Sequence, residues 1–255
     1  MSYASEFSSP SIDASTPDWT AYLQRYRKGE WRGFLFRDMI LEEARQREGP
    51  LAFLDIGCGR GLDGYLPPQE TIARTADQYI GIEPDPTIQP APFFTEVHRC
   101  LFEDAPLRAH SIDVALAVMV LEHLASPQRF WDKLWDVLVD GGVFWAMTVD
   151  ARHWFCHASL WADRLRLKGP YLTWLMGQRG VARYENYPVH YRCNTPRQIR
   201  HYAKRFRRVH CFNFSRVGQS IACFPLALRS LATSLDRYSV RLGKPGPLLV
   251  VQAVK

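Results

Sequence analysis

The chain has 255 residues, 47% hydrophobic and 23% charged, a balance that supports a full buried core and excludes a chain disordered throughout. No run of about 18 apolar residues and no basic leader before an apolar segment occur, which argues against a membrane span and against secretion. Charge is unevenly divided: residues 1–150 carry 13 Lys and Arg against 23 Asp and Glu, and residues 151–255 carry 19 against 3.

The basic half therefore either meets something anionic or presents a solvated basic surface. Six cysteines, at 58, 100, 156, 193, 211 and 223, show neither a C-x-x-C pair nor zinc spacing. They read as reduced thiols of a cytoplasmic protein without a metal site.

Taken in chain order, residues 1–18 are rich in Ser and Pro and read as a loose arm. Residues 19–46 have a helical pattern, with Phe34, Met39, Ile40 and Leu41 among charges, and are expected as an N-terminal helical cap over 19–49. LAFLDIG (51–57) is a short apolar run, as a buried parallel strand should be. QYIGIEP (78–84), FFTEVHRC (93–100) and SIDVALAVMV (111–120) read as further strands. SPQRFWDKLWDVL reads as a helix with Ser126 as cap, Pro127 in the first turn, and Phe130, Leu134, Val137 and Leu138 as its buried stripe; DGG stops it before the strand VFWAMTV. TPRQIRHYAKRF is a second capped helix, and VHCFNF (209–214) and PLLVVQAV (247–254) close the chain as strands. Strands alternating with helices predict a parallel sheet with right-handed crossovers, and 150–195 and 216–246 read as insertions into it.

LDIGCGRGLDG (54–64) holds two overlapping motifs. From Gly59 it spells the G-x-G-x-x-G of a dinucleotide site, but that frame begins about two residues after the strand ends. From Asp55 it spells an acid-led glycine loop. A carboxylate at the strand end repels a pyrophosphate and favours a ligand carrying cationic groups, so the second frame is preferred, with Gly64 left as a helix or turn residue. Glu83 suits a ribose diol in either frame.

In these motifs the chain resembles the class I S-adenosylmethionine-dependent methyltransferases. LDIGCGRG is similar to their first motif, YIGIEPD to their second, AVMVLEHL to the segment after the fourth strand, and LVDGGVFW to their L-x-P-G-G turn with Asp140 in place of Pro. The resemblance implies a Rossmann-like α/β fold: one domain over 1–255 with a seven-stranded, mostly parallel sheet, the last strand antiparallel, a cofactor-binding core at 50–150, and helical insertions in 151–255 that form a substrate cap. It implies S-adenosylmethionine as cofactor. Asp55, Gly57, Cys58, Gly59 and Gly61 would cradle the methionine end and sugar, Glu83 the ribose with Pro84 alongside, Phe102, Glu103 and Asp104 the adenine, and Val118 and Met119 the methionine chain. Leu101 stands where many members have the adenine-binding Asp. Glu122 and His123 read as a helix start with a satisfied imidazole.

The absence of N-P-P-Y after the fourth strand and of a P-C pair counts against nucleobase methylation. The acceptor pocket is expected from the insertions. DARHWFCHASLW offers His153 and His157, and ENYPVHYRCNT gathers Tyr187, His190, Tyr191 and Arg192; His190, then His153, is the candidate base, with Tyr187, Tyr191, Arg192 and His157 toward substrate. Leu228, Leu231, Leu235, Tyr238 and Leu242 form one helical stripe, read as a lid packed on its own domain in preference to an interfacial helix at a membrane. The expected activity is methyl transfer to a hydroxyl, carboxyl or amine of a small-molecule or sugar-type acceptor, anionic or lipid-linked acceptors included, in biosynthesis. Nucleic acid is not the expected partner. The alternatives are a protein or RNA methyltransferase using the basic half, and a catalytically silent cofactor-binding subunit.

Overall fold

A computed structural model describes residues 18–177 and 187–255. The arm expected over 1–18 lies outside them except for Asp18, whose carboxylate accepts from Thr20 N and Ala21 N and caps the first helix. The helical pattern of 19–46 forms two helices, α1 (Trp19–Arg27) and α2 (Arg32–Arg45). The break falls at Gly29, whose φ of +100° leaves the helical region.

Seven strands follow: β1 (Ala52–Ile56), β2 (Gln78–Ile82), β3 (Glu96–His98), β4 (Ile112–Val118), β5 (Leu138–Val149), β6 (Arg208–Phe214) and β7 (Leu248–Val254), in the spatial order β3-β2-β1-β4-β5-β7-β6. β1 through β5 pair in parallel; β7 is antiparallel to both β5 and β6. The last strand is therefore the reversed one, as expected.

Period-two alternation divides the strands between two cores. Leu54, Ile82, Ala115 and Phe144 meet α4 (Pro127–Val137) and α7 (Pro196–Tyr202), while Phe53, Tyr79, Leu116 and Trp145 meet α1, α2 and α3 (Leu66–Ala73). In α4 the expected stripe is buried, but Ser126 holds the cap position without a side-chain hydrogen bond. Thr195 does cap α7, accepting from Gln198 N. Strand β3 uses only three of the eight residues expected of it, because Phe93 and Phe94 turn inward to pack on the Tyr79 ring. DGG lies inside β5, which starts at Leu138, and the β4–β5 register shifts there.

The insertions form α5 (Trp154–Arg164), α6 (Lys168–Met176) and α8 (Leu226–Arg241). The expectation that the leucine stripe of α8 packs on the domain is corrected: Ala232, Asp236 and Ser239 face inward and the stripe faces out. Asp236 fixes that orientation, for its buried carboxylate accepts from Trp154 Nε1 at 2.8 Å and Gly218 N at 2.9 Å. Asp236→Ala leaves two donors without a partner, and a loss of about 2–4 kcal/mol in denaturant unfolding is expected; a loss under about 0.5 kcal/mol, within the range of an ordinary surface change, would show that α8 is held otherwise.

Candidate functional site

The carboxyl ends of β1, β2 and β4 meet at the loop 57–64. Gly57 N and Cys58 N both donate to Ile82 O, tying the loop to the end of β2. Two positions demand glycine. Gly57 has φ +71° and a Cβ there would stand 2.6 Å from Val120 Cγ2; Gly61 has φ +109° and its Cβ would stand 2.4 Å from the Tyr65 carbonyl. Gly64, at φ +80°, is a turn residue between the bridged Leu62 and Tyr65, and α3 begins immediately after Tyr65.

Glu83 ends β2 with its carboxylate under the loop: Oε2 accepts from Gly59 N and Oε1 from Asp85 N, each at 2.9 Å. Burial pushes its pKa up, against those two hydrogen bonds. Each oxygen has a further lone pair, so the carboxylate can accept two more donors side by side, which is the demand of a vicinal diol. A Cβ on Gly59 would stand 3.7 Å from Glu83 Oε2, so the missing side chain keeps the approach to the carboxylate clear. These residues fit a nucleoside ligand.

Asp55 is placed differently from the sequence reading, which set it against a cationic ligand. It shares a face of β1 with Phe53, so its side chain is buried beneath the loop, 1% exposed, where Oδ2 accepts from Tyr79 Oη at 2.7 Å and Gln69 Nε2 at 2.8 Å. Gln69 Nε2 also donates to Cys58 O. Asp55 thus holds the loop from below through β2 and α3. Desolvation raises its pKa to about 6, opposed by the bonds from Tyr79 and Gln69. Cys58 is buried too, its sulfur against Gly81, so the main chain is what it offers a ligand.

Phe102 is likewise corrected. It turns into the core, its ring centroid 5.1 Å from that of Phe130, because the short 3-10 turn 102–104 points its first side chain inward. Leu101, 56% exposed, is the apolar side chain on the surface there; Glu103 is half-buried and Asp104 accepts from Arg129. Pro84 is exposed beyond Glu83. Val118 and Met119 end β4 half-buried, and Met119 adopts φ +55°, rare for a side chain of this size, while its N–H donates to Met147 O.

A strap of chain from the second half crosses this edge. Tyr187 Oη donates to Asp85 beyond β2, and its ring meets the His123 ring edge-on. Pro188 O lies 2.8 Å from His123 Nδ1, so that imidazole is satisfied. His190 N and Tyr191 N both donate to Glu122 O. The Tyr191 hydroxyl reaches Ser159 and Cys156 of α5, and Arg192 donates to Ala125 O. Of ENYPVHYRCNT, Glu185 and Asn186 lie outside the described residues. His153 is buried and caps α5 by accepting from Phe155 N, with Nε2 3.7 Å from Asp236; burial lowers its pKa. His157 is exposed, one helical turn further along α5.

Residues that no motif singled out complete the site. Arg32 clasps Asp63 of the loop with both ends of its guanidinium, at 2.7 and 2.5 Å. Thr148 Oγ1 donates to the buried Glu122 carboxylate, whose pKa burial raises, and the Asn194 amide lies 2.8 Å from Thr148. Tyr79 and Gln69 were visible only as polar residues amid apolar neighbours, a signal too common to act on.

Residues 54–146 match a family model described as a methyltransferase domain. The match runs from within β1 to within β5 and includes the glycine loop, so over this stretch the chain is similar to a methyltransferase domain. A ubiquinone biosynthesis O-methyltransferase of Nitrobacter winogradskyi is 35% identical over 112 residues, 41% of this chain and 40% of that relative's length. The chain also shares its fold with an S-adenosylmethionine-dependent methyltransferase of Archaeoglobus fulgidus (TM-score 0.55, 13% identity, 93% of this chain and 100% of that one). A geranyl diphosphate C-methyltransferase of Streptomyces coelicolor A3(2) aligns similarly (TM-score 0.56, 12% identity, 94% and 86%).

The buried Asp55 has a pH signature. It titrates at about 6 folded and at about 3.9 unfolded, so between these values the folded chain holds the extra proton and stability falls as pH rises through 6. Asp55→Asn should reduce the downward slope of Tm against pH across that interval by about one proton's share; an unchanged slope would mean that Asp55 does not titrate there.

Proposed function

We propose that the chain transfers a methyl group from S-adenosylmethionine to a hydroxyl, carboxyl or amine of a small-molecule acceptor, sugar-type and lipid-linked molecules included, and that it works in the cytoplasm, where its six free cysteines would stay reduced. The observation that carries the reading is Glu83, a buried carboxylate fixed by two main-chain donors with lone pairs left for a diol. When bound, S-adenosylmethionine supplies a methyl group on a sulfonium whose departure leaves a neutral thioether.

On this reading Glu83 accepts from both ribose hydroxyls, with Pro84 beside them. The main chain of Gly57, Cys58, Gly59 and Gly61 lies along the sugar and methionine part, and Val118 and Met119 along the methionine chain. Glu103, Asp104 and the exposed Leu101 border the adenine. Asp55 acts through the loop that it supports and through its charge. A cluster of buried carboxylates, Asp55, Glu83 and Glu122, favours a cationic ligand over a pyrophosphate at this edge.

Tyr187, Tyr191, Arg192 and His157 orient the acceptor from the strap and α5. His190 is the base in preference to His153, because His190 is exposed on the strap while His153 is buried in a capping role.

Removing two hydrogen bonds to a charged group costs about 1.5–3 kcal/mol each, so Glu83→Ala should weaken S-adenosylhomocysteine binding at least about tenfold in calorimetry; wild-type affinity would overturn the site. Incubating metabolite fractions with methyl-labelled S-adenosylmethionine should label a small molecule. His190→Ala is expected to lower kcat with little change in cofactor affinity, whereas His153→Ala should lower Tm. Cofactor binding with no label in any fraction would favour the catalytically silent alternative.

A further inference from the structure

We infer that the outer face of α8, with the adjoining ends of α5 and α6, docks on an anionic lipid surface. In α8 the usual arrangement is inverted. The side against the domain is small or polar, Ala232, Asp236 and Ser239, while Leu226, Leu231 and Tyr238 are 78%, 59% and 61% exposed and Leu228, Leu235 and Leu242 share their outward position. A helix that turned its leucines out by accident would gain by rotating. The two hydrogen bonds to Asp236, from Trp154 and Gly218, prevent that rotation.

The apolar surface extends past one helix. Trp161 and Leu165 on α5, Leu167 between the helices, and Trp174 on α6 are all exposed. These elements adjoin α8: Phe155 packs on Phe224 just before it, and Tyr171 Oη donates to Cys223 O. Contiguous exposed apolar surface rimmed by polar groups marks an interaction site, and Trp is the residue most at home at the boundary of hydrocarbon and water.

Charge identifies the occupant. Exposed Arg237, Arg241 and Lys244 flank the α8 stripe, Arg164 ends α5 and Arg166 follows it. Among the described residues from 151 onward the only acid outside the core is Asp163, since Asp236 is buried. A leucine face bordered by arginine with almost no opposing acid suits a surface that is apolar beneath and negative at its head groups. A second copy of this chain would set like charges together. No helix among the described residues is long and apolar enough to cross a membrane, so the contact is interfacial.

The test uses the full chain and co-sedimentation with vesicles, and it does not depend on methyl transfer. Binding to phosphatidylcholine vesicles containing phosphatidylglycerol is expected, with little binding to phosphatidylcholine alone and with affinity falling as salt rises. Replacing Arg237 and Arg241 together by Ala should weaken the partition by about fivefold per charge. Leu231→Ser with Leu235→Ser should weaken it at least about tenfold. Circular dichroism melts matching the unmodified chain show that both variants fold, which exposed positions should allow. Failure to bind the anionic vesicles, or equal binding by both variants, overturns the proposal. So does a stable dimer in light scattering that the leucine variants dissolve, since a second copy would then cover the face.

Discussion

A single buried carboxylate organises the working edge of this sheet. Asp55 lies under the glycine loop and joins three elements: β1, which carries it, its ladder partner β2 through Tyr79, and α3 through Gln69. Gln69 passes the constraint on to Cys58 O, and so to the main chain of the loop itself. Keeping that carboxylate dry has a cost, visible as a pKa of about 6, which corresponds to about 3 kcal/mol of unfavourable ionisation at neutral pH. The return is a loop whose main-chain path is fixed before any ligand arrives, so little ordering entropy remains to be lost on binding.

The same logic extends across the edge. Glu83 is held by Gly59 N and Asp85 N, and Glu122 by Thr148, so three buried acids each keep a fixed direction and a raised or opposed ionisation. Arg32 ties the far side of the loop to α2, and the strap ties the end of β2 to the end of β4 through Tyr187, Pro188 and His190. Positions of this kind suit a reaction in which alignment supplies most of the rate and proton transfer is a secondary demand.

Sequence and structure agree where the hydrophobic pattern has one meaning. The runs LAFLDIG and SIDVALAVMV have no polar face and could only be central strands, and the stripe of α4 has a single apolar side to bury. Glu83 and the glycines were legible because their chemistry is local, a carboxylate at a strand end and turns that need positive φ. Asp55 is legible as an acid at the strand end, but its place beneath the loop is a finding of the structure. Strand alternation puts it on the Phe53 face, away from the open side of the loop, and that parity was readable from the sequence; its partner Gln69 was not, being one amide on a helix that the sequence reading did not single out.

The α8 helix shows the limit of amphipathic reasoning most clearly. Periodicity located the leucine stripe correctly but carries no information about which medium the stripe faces. Ordinarily the hydrophobic effect decides, since exposing several leucines forfeits about 1.5–3 kcal/mol for each side chain that burial would otherwise gain. Here Asp236 decides instead. Turning the leucines inward would expel a carboxylate that satisfies two buried donors and would bring five or more large side chains into a space shaped for Ala232 and Ser239. The polar contact therefore sets the orientation, and the apolar surface is left for a medium other than the domain's own core.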